Sequence, residues 1–80
     1  MKVQVNVMLK NGVLDPQGEA VNHALSALGY DSVKSVRQGK LIELDLDESD
    51  IAIAEKKVRD MCKKLLINTV IESYSIEVLG

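Results

Sequence analysis

Lys10-Asn11-Gly12-Val13-Leu14-Asp15-Pro16-Gln17-Gly18 joins an alternating segment to a helical one, and its reading decides the fold. Asp15 followed by Pro16 is a helix start. The aspartate oxygen can accept an otherwise unpaired N–H of the first turn, and its charge suits the positive helix end. Pro16 falls at the first helical position, where its missing N–H is no loss and its φ is already helical. Gly12 allows the chain to turn out of the preceding segment. Taken alone, these loop residues shape the backbone and do no chemistry.

Upstream of the junction, Val3, Val5, Val7 and Leu9 alternate with Lys2, Gln4, Asn6, Met8 and Lys10. That period of two predicts a half-buried strand over residues 2–10. Downstream, Ala20, Val21, Ala24, Leu25 and Leu28 form one apolar stripe, predicting a helix over 16–28 that Gly29 stops. A weaker strand is expected over 33–38, followed by a tight hairpin turn at Gln38-Gly39-Lys40. The next strand covers 40–47, with Ile42, Leu44 and Leu46 inward. The acidic run Asp47-Glu48-Ser49-Asp50 reads as the cap of a second helix over 50–66. It lacks the alternate-residue ligands, central glycine and closing glutamate of a calcium loop. Ile51, Ala54, Val58, Met61, Cys62 and Leu65 give this helix its inward stripe, and its lysines and Arg59 face solvent. A last strand is expected over 70–79. The order is β-α-β-β-α-β, an α+β two-layer sandwich with a ferredoxin-like antiparallel sheet and both helices on one face. The other sheet face carries Gln4, Asn6, Met8, Leu41, Glu43, Ser73 and Ser75, a mixed surface suited to protein contact.

Eighty residues predict one domain over 1–80 that buries only about 60% of its unfolded surface, so self-association or docking onto a partner is expected. The net charge of −2 argues against nucleic-acid and anionic-membrane binding, and two tyrosines with no Phe or Trp offer no base-stacking platform. No apolar run spans a bilayer or resembles a signal peptide, so a cytoplasmic location is the expectation. Cys62 has no partner for a disulfide and reads as a small buried hydrophobe. His23 stands alone, without the company a metal ligand needs. No phosphate-binding loop, thiol–imidazole pair or Cys-x-x-Cys motif occurs. An acylphosphatase-like site would need an arginine in the first strand–helix loop, which offers only Lys10 and Asn11. The residues thus predict a non-catalytic interaction module with no cofactor and no metal.

The run from Lys10 to Gly18 also resembles the first signature of the PurS family, the small subunits of phosphoribosylformylglycinamidine (FGAM) synthase. Ala24-Leu25, Leu28-Gly29, Val36-Arg37-Gln38-Gly39-Lys40, Glu43-Leu44, Asn68-Thr69-Val70-Ile71-Glu72 and Tyr74 continue the resemblance in order along the chain. Thr69 departs from it, standing where the family usually has proline, and leaves φ unfixed in that connection. The resemblance implies a homodimeric or higher homo-oligomeric adaptor in de novo purine synthesis. It would bridge a glutaminase subunit and an ATP-dependent synthetase subunit and assist ammonia transfer between them. On that reading Lys10, Asp15, Arg37, Lys40 and Glu72 are expected at the partner interface, and Gly12, Pro16, Gly18 and Gly39 shape the loops. The alternative, from another class, is an ACT-like domain binding a small molecule at the loop that holds Gly12.

Overall fold

The computed structural model describes residues 1–80. Its elements are β1 (Lys2–Leu9), α1 (Pro16–Ala27), β2 (Lys40–Asp45), α2 (Ile51–Met61), one π-helical turn (Cys62–Leu66) and β3 (Glu72–Val78). The three strands form an antiparallel sheet in the order β2-β1-β3. The α+β class and the antiparallel sheet agree with the sequence reading.

β1 is central because its alternating valines give it an apolar face that both neighbours extend. Val5 stands opposite Ile42 on one side and Ile76 on the other, and Val3 stands opposite Leu44 and Val78. α2 covers this face with Val58, and Cys62 and Ile67 complete the cluster around Val3, Val5 and Val7. Each fully buried valine contributes roughly 1.5–3 kcal/mol. Cys62 is buried as expected, and burial pushes its thiol pKa up. Asp50 caps α2 by accepting the Ile53 N–H at 3.2 Å. Glu48 accepts from the Ser49 and Asp50 N–H groups and pairs with Lys57 at 3.2 Å. The acidic run therefore starts the helix, as its position suggests.

Three expectations need correction. Residues 33–38 form no strand, and no hairpin joins them to β2. The reason lies in spacing: Val33 and Val36 are three residues apart and would point to opposite faces of a strand, so the segment has no apolar side to lay on a core. Second, the two helices do not share one face of the sheet. α2 alone packs there, and α1 touches no other element of its own chain. Ala20, Val21 and Ala24 are exposed, and Leu28 is 73% exposed, so the apolar stripe of α1 has no cover. Third, α2 ends in a widened turn in which the Ile67 N–H donates to the Cys62 carbonyl at 3.0 Å. That turn brings Ile67 into the core and swings Leu65, expected on the inward stripe, out to 83% exposure.

The molecule is consequently long and thin. It measures 48 × 26 × 14 Å with a radius of gyration of 16.0 Å. A compact chain of this length has about 12 Å. Only eight of the 80 residues are buried.

Gly18, in the first turn of α1, lies against the returning chain: the Val36 carbonyl occupies the space a Cβ would take, and the Asp15 carboxylate crowds it from the other side. Gly18→Ala is expected to cost about 1–3 kcal/mol through this overpacking. Urea denaturation measures it; an unchanged midpoint would mean that the 36–39 segment does not rest on α1.

Candidate partner-binding site at the loop end of the sheet

Three loops meet beyond the C-terminal end of β1: residues 10–18, 36–40 and 68–71. Asp15 joins the first two. One carboxylate oxygen accepts the Gly18 N–H at 2.9 Å, capping α1, and the other accepts the Gln38 N–H at 2.7 Å. The Gln38 and then the Gly18 hydrogen bonds hold the Asp15 carboxyl below the usual carboxylate range, and Arg37 adds to the effect.

Arg37 strengthens the same junction. Its guanidinium donates to the Asn11 side chain at 2.9 Å, to the Lys10 carbonyl at 3.2 Å and to the Leu9 carbonyl. A planar fork of donors suits this divided task, and a lysine could not copy it. Gly39 fits beneath: a Cβ there would run into the Val7 carbonyl and the Met8 sulfur, so no side chain has room.

The third loop is tied in by Lys10 and Glu72. Lys10 Nζ donates to the Thr69 carbonyl at 2.7 Å, and its backbone N–H donates to the Ile71 carbonyl at 2.8 Å. Glu72 accepts the Asn68 N–H at 2.8 Å with one oxygen and lies 3.8 Å from Lys40 Nζ with the other. Asn68 makes the turn, its side chain accepting the Val70 N–H at 3.1 Å. The Lys10 bond tethers the connection at Thr69, where no proline ring fixes φ.

All five charged residues singled out in the sequence therefore gather at one end of the molecule, and each is engaged inside the chain. Asp15, Lys40 and Glu72 line a cleft of about 270 Å³, and Asp15, Arg37 and Gly12 line the neighbouring one. Pro16 takes the first helical position of α1, and Gly12 has φ +85°. A Cβ at Gly12 would meet open space, so it is the positive φ of this turn and not crowding that favours glycine there. The sequence reading missed Asn11, Gln38 and Asn68 as partners in this network. Only Asn68 had a signal, the asparagine-led turn before a strand. Large apolar side chains stand out on these loops, Leu14 71% exposed in the first and Val70 79% in the third, and Leu65 is 83% exposed in the π-helical turn that leads into the third. The loop end therefore combines an engaged polar framework with exposed apolar residues.

The profile of the family "PurS: Phosphoribosylformylglycinamidine (FGAM) synthase" matches residues 2–80. The Bacillus subtilis FGAM synthase subunit PurS is 53% identical over 77 residues, which cover 96% of this chain and 90% of that protein. Among solved structures, Methanocaldococcus jannaschii PurS, one of the subunits of formylglycinamide ribonucleotide amidotransferase in the purine biosynthetic pathway, superposes with a TM-score of 0.86 at 41% identity. It covers 95% of this chain and 92% of its own. A chain in the Thermotoga maritima PurLQS structure gives a TM-score of 0.86 at 32% identity, over 95% of this chain and 93% of its own.

Two outcomes follow from the clamp. Because the folded pKa of Asp15 lies below its ordinary 3.8, the unfolded chain takes up this proton first as pH falls. The Asp15 contribution is thus complete above the unfolded pKa and is lost as pH drops through the folded one. Urea midpoints taken from about pH 6 to about pH 2 should show the advantage of the parent over Asp15→Asn shrinking toward acid. A constant difference would contradict the assignment. Arg37→Lys should speed hydrogen exchange at the Gln38 amide by about tenfold or more, while β1 amides keep their protection; equal exchange in both proteins would contradict the clamp.

Proposed function

The chain belongs to the PurS family of FGAM synthase subunits, and on that premise we propose that it is a non-catalytic adaptor of the synthase in de novo purine synthesis. It joins the glutaminase subunit to the ATP-dependent synthetase subunit and works as a homodimer in the cytoplasm. The observation that carries this reading is the uncovered apolar stripe of α1, on a chain that buries eight residues by itself. Such a chain is completed by others. A second copy is the natural cover for α1, since two identical stripes can bury each other about a twofold axis. No helix is long and apolar enough to cross a membrane.

The loop end then serves as the contact surface for the larger subunits. Lys10, Asp15, Arg37, Lys40 and Glu72 hold its shape through the bonds described above, and Leu14, Leu65 and Val70 supply apolar contact area. The benefit to catalysis is physical. Ammonia released by a glutaminase is protonated and diluted once it reaches bulk water, and only the free base attacks an activated amide carbon. A subunit that seals the gap between two active sites keeps water out and the nucleophile in.

The test is reconstitution of the synthase from purified subunits with and without this chain, driven by glutamine or by ammonium salt. Omission should abolish most glutamine-driven turnover and spare the ammonium-driven reaction. Full glutamine-driven turnover without the chain would overturn the proposal.

A further inference from the structure

β3 forms one free edge of the sheet, and nothing on it discourages pairing. Natural edge strands are blunted by lysine, proline, a bulge or shortness. β3 runs seven residues, Glu72-Ser73-Tyr74-Ser75-Ile76-Glu77-Val78, with no lysine and no proline. Its pairing with β1 is one to one from Leu9 opposite Glu72 to Val3 opposite Val78, so it carries no bulge. Hydrogen bonding to β1 decides which of its backbone groups face outward. The Lys10 N–H donates to the Ile71 carbonyl, and the Leu79 N–H donates to the Lys2 carbonyl. Antiparallel bonds fall on alternate residues, so the odd-numbered residues of β3 bond to β1. The N–H and C=O groups of Tyr74, Ile76 and Val78 therefore point away from the sheet, and no loop or side chain bonds them.

The strand is also complementary to itself. A twofold axis through Ser75 pairs all seven residues of β3 with those of an identical strand. Tyr74 then stands opposite Ile76 of the second copy, Ser73 opposite Glu77 and Glu72 opposite Val78. No two carboxylates meet, and an aromatic residue faces a β-branched one, a favourable cross-strand pair. The half-buried side, Tyr74, Ile76 and Val78, continues onto the same side of the second strand. The other edge lacks this property. β2 has six residues, so pairing its full length with itself would set Ile42 opposite Glu43, an apolar side against a polar one. Surface area allows such a contact: the chain exposes 5810 Å², against about 4,800 Å² for a compact chain of its mass. The excess exceeds the roughly 800 Å² per partner that a standard interface buries.

We propose that β3 pairs antiparallel with β3 of a second copy about a twofold axis at Ser75, joining two three-stranded sheets into one of six strands. The Tyr74 and Ile76 backbone groups exchange hydrogen bonds across the axis with Ile76 and Tyr74 of the second copy. This contact is separate from the α1 stripe and does not draw on the adaptor reading above.

The test is mild oxidation of the full chain carrying S75C, read by electrophoresis without reductant. In a pair of this kind the two Cα atoms at the axis stand about 4.5 Å apart, inside the range of about 4.4–6.8 Å that a disulfide needs. S75C should link most of the protein into covalent pairs. S73C alone should not, because its two copies lie more than about 13 Å apart, but mixed with E77C it should link. The parent, whose Cys62 is buried, should stay unlinked. S75D sets two carboxylates face to face at the axis and should at least halve the light-scattering mass. The Tyr74 and Ile76 amides should exchange about tenfold or more faster in S75D than in the parent, while the Ser75 and Glu77 amides, bonded to β1, change little. That split distinguishes a lost contact from a loosened strand. Absence of the S75C link, linking of S73C in its place, an unchanged mass of S75D, or equal exchange at Tyr74 and Ile76 in both proteins overturns the inference and leaves the adaptor reading standing.

Discussion

The Asp15 carboxylate is bonded at once to the first turn of α1 and to the chain that comes back from it. Those two hydrogen bonds define the base of an arm. Everything between Pro16 and Val36 leaves the sheet, turns at Gly29, and returns to a clamp that Arg37 closes against the end of β1. The direction of α1 is set there, and α1 is the element that makes the molecule long. Had the clamp been absent, nothing in the chain would hold α1 on one heading, because its apolar stripe meets no strand.

The division of labour between apolar and charged residues is unusual for so small a chain. Apolar burial stabilises one layer: the β1 valines, their cross-strand partners, and one face of α2 with the π-helical turn behind it. The charged residues mostly position backbone, and their hydrogen bonds run to carbonyls and N–H groups of other loops. Surface charges used this way contribute more to geometry than to stability, since exposed pairs are worth little in water. The remaining apolar surface, on α1 and around the loop end, stays open. An adaptor needs this arrangement: a small rigid sheet, and contact surfaces held in shape before any partner arrives.

Much of this was readable in the sequence, and the exceptions have physical causes. β1 and β3 were legible because strict alternation has one interpretation. The start of α1 was legible from Asp15-Pro16, and its end from Gly29, whose φ is +96°. Residues 33–38 misled because β-branched valines suggest a strand, whereas their three-residue spacing denies it a face. The widened turn at Cys62–Leu66 left no trace in a periodicity that stays helical through Leu65. Lys10, Asp15, Arg37, Lys40 and Glu72 were singled out as a group through family resemblance, but the groups that each of them bonds were not. Sequence shows that Lys10, Arg37 and Glu72 are charged. It does not show that a carbonyl or an N–H more than twenty residues away, or one turn back in the chain, takes up that charge.

A chain with a bare apolar arm should not be stable alone, and the most direct measurement is its mass in solution together with the protein-concentration dependence of its urea midpoint. One chain weighs 8.8 kDa. Light scattering should give a mass of two chains or more, and the midpoint should rise as the protein is concentrated, because assembly and folding are then linked. A monomer of 8.8 kDa whose midpoint is the same at every concentration would contradict it.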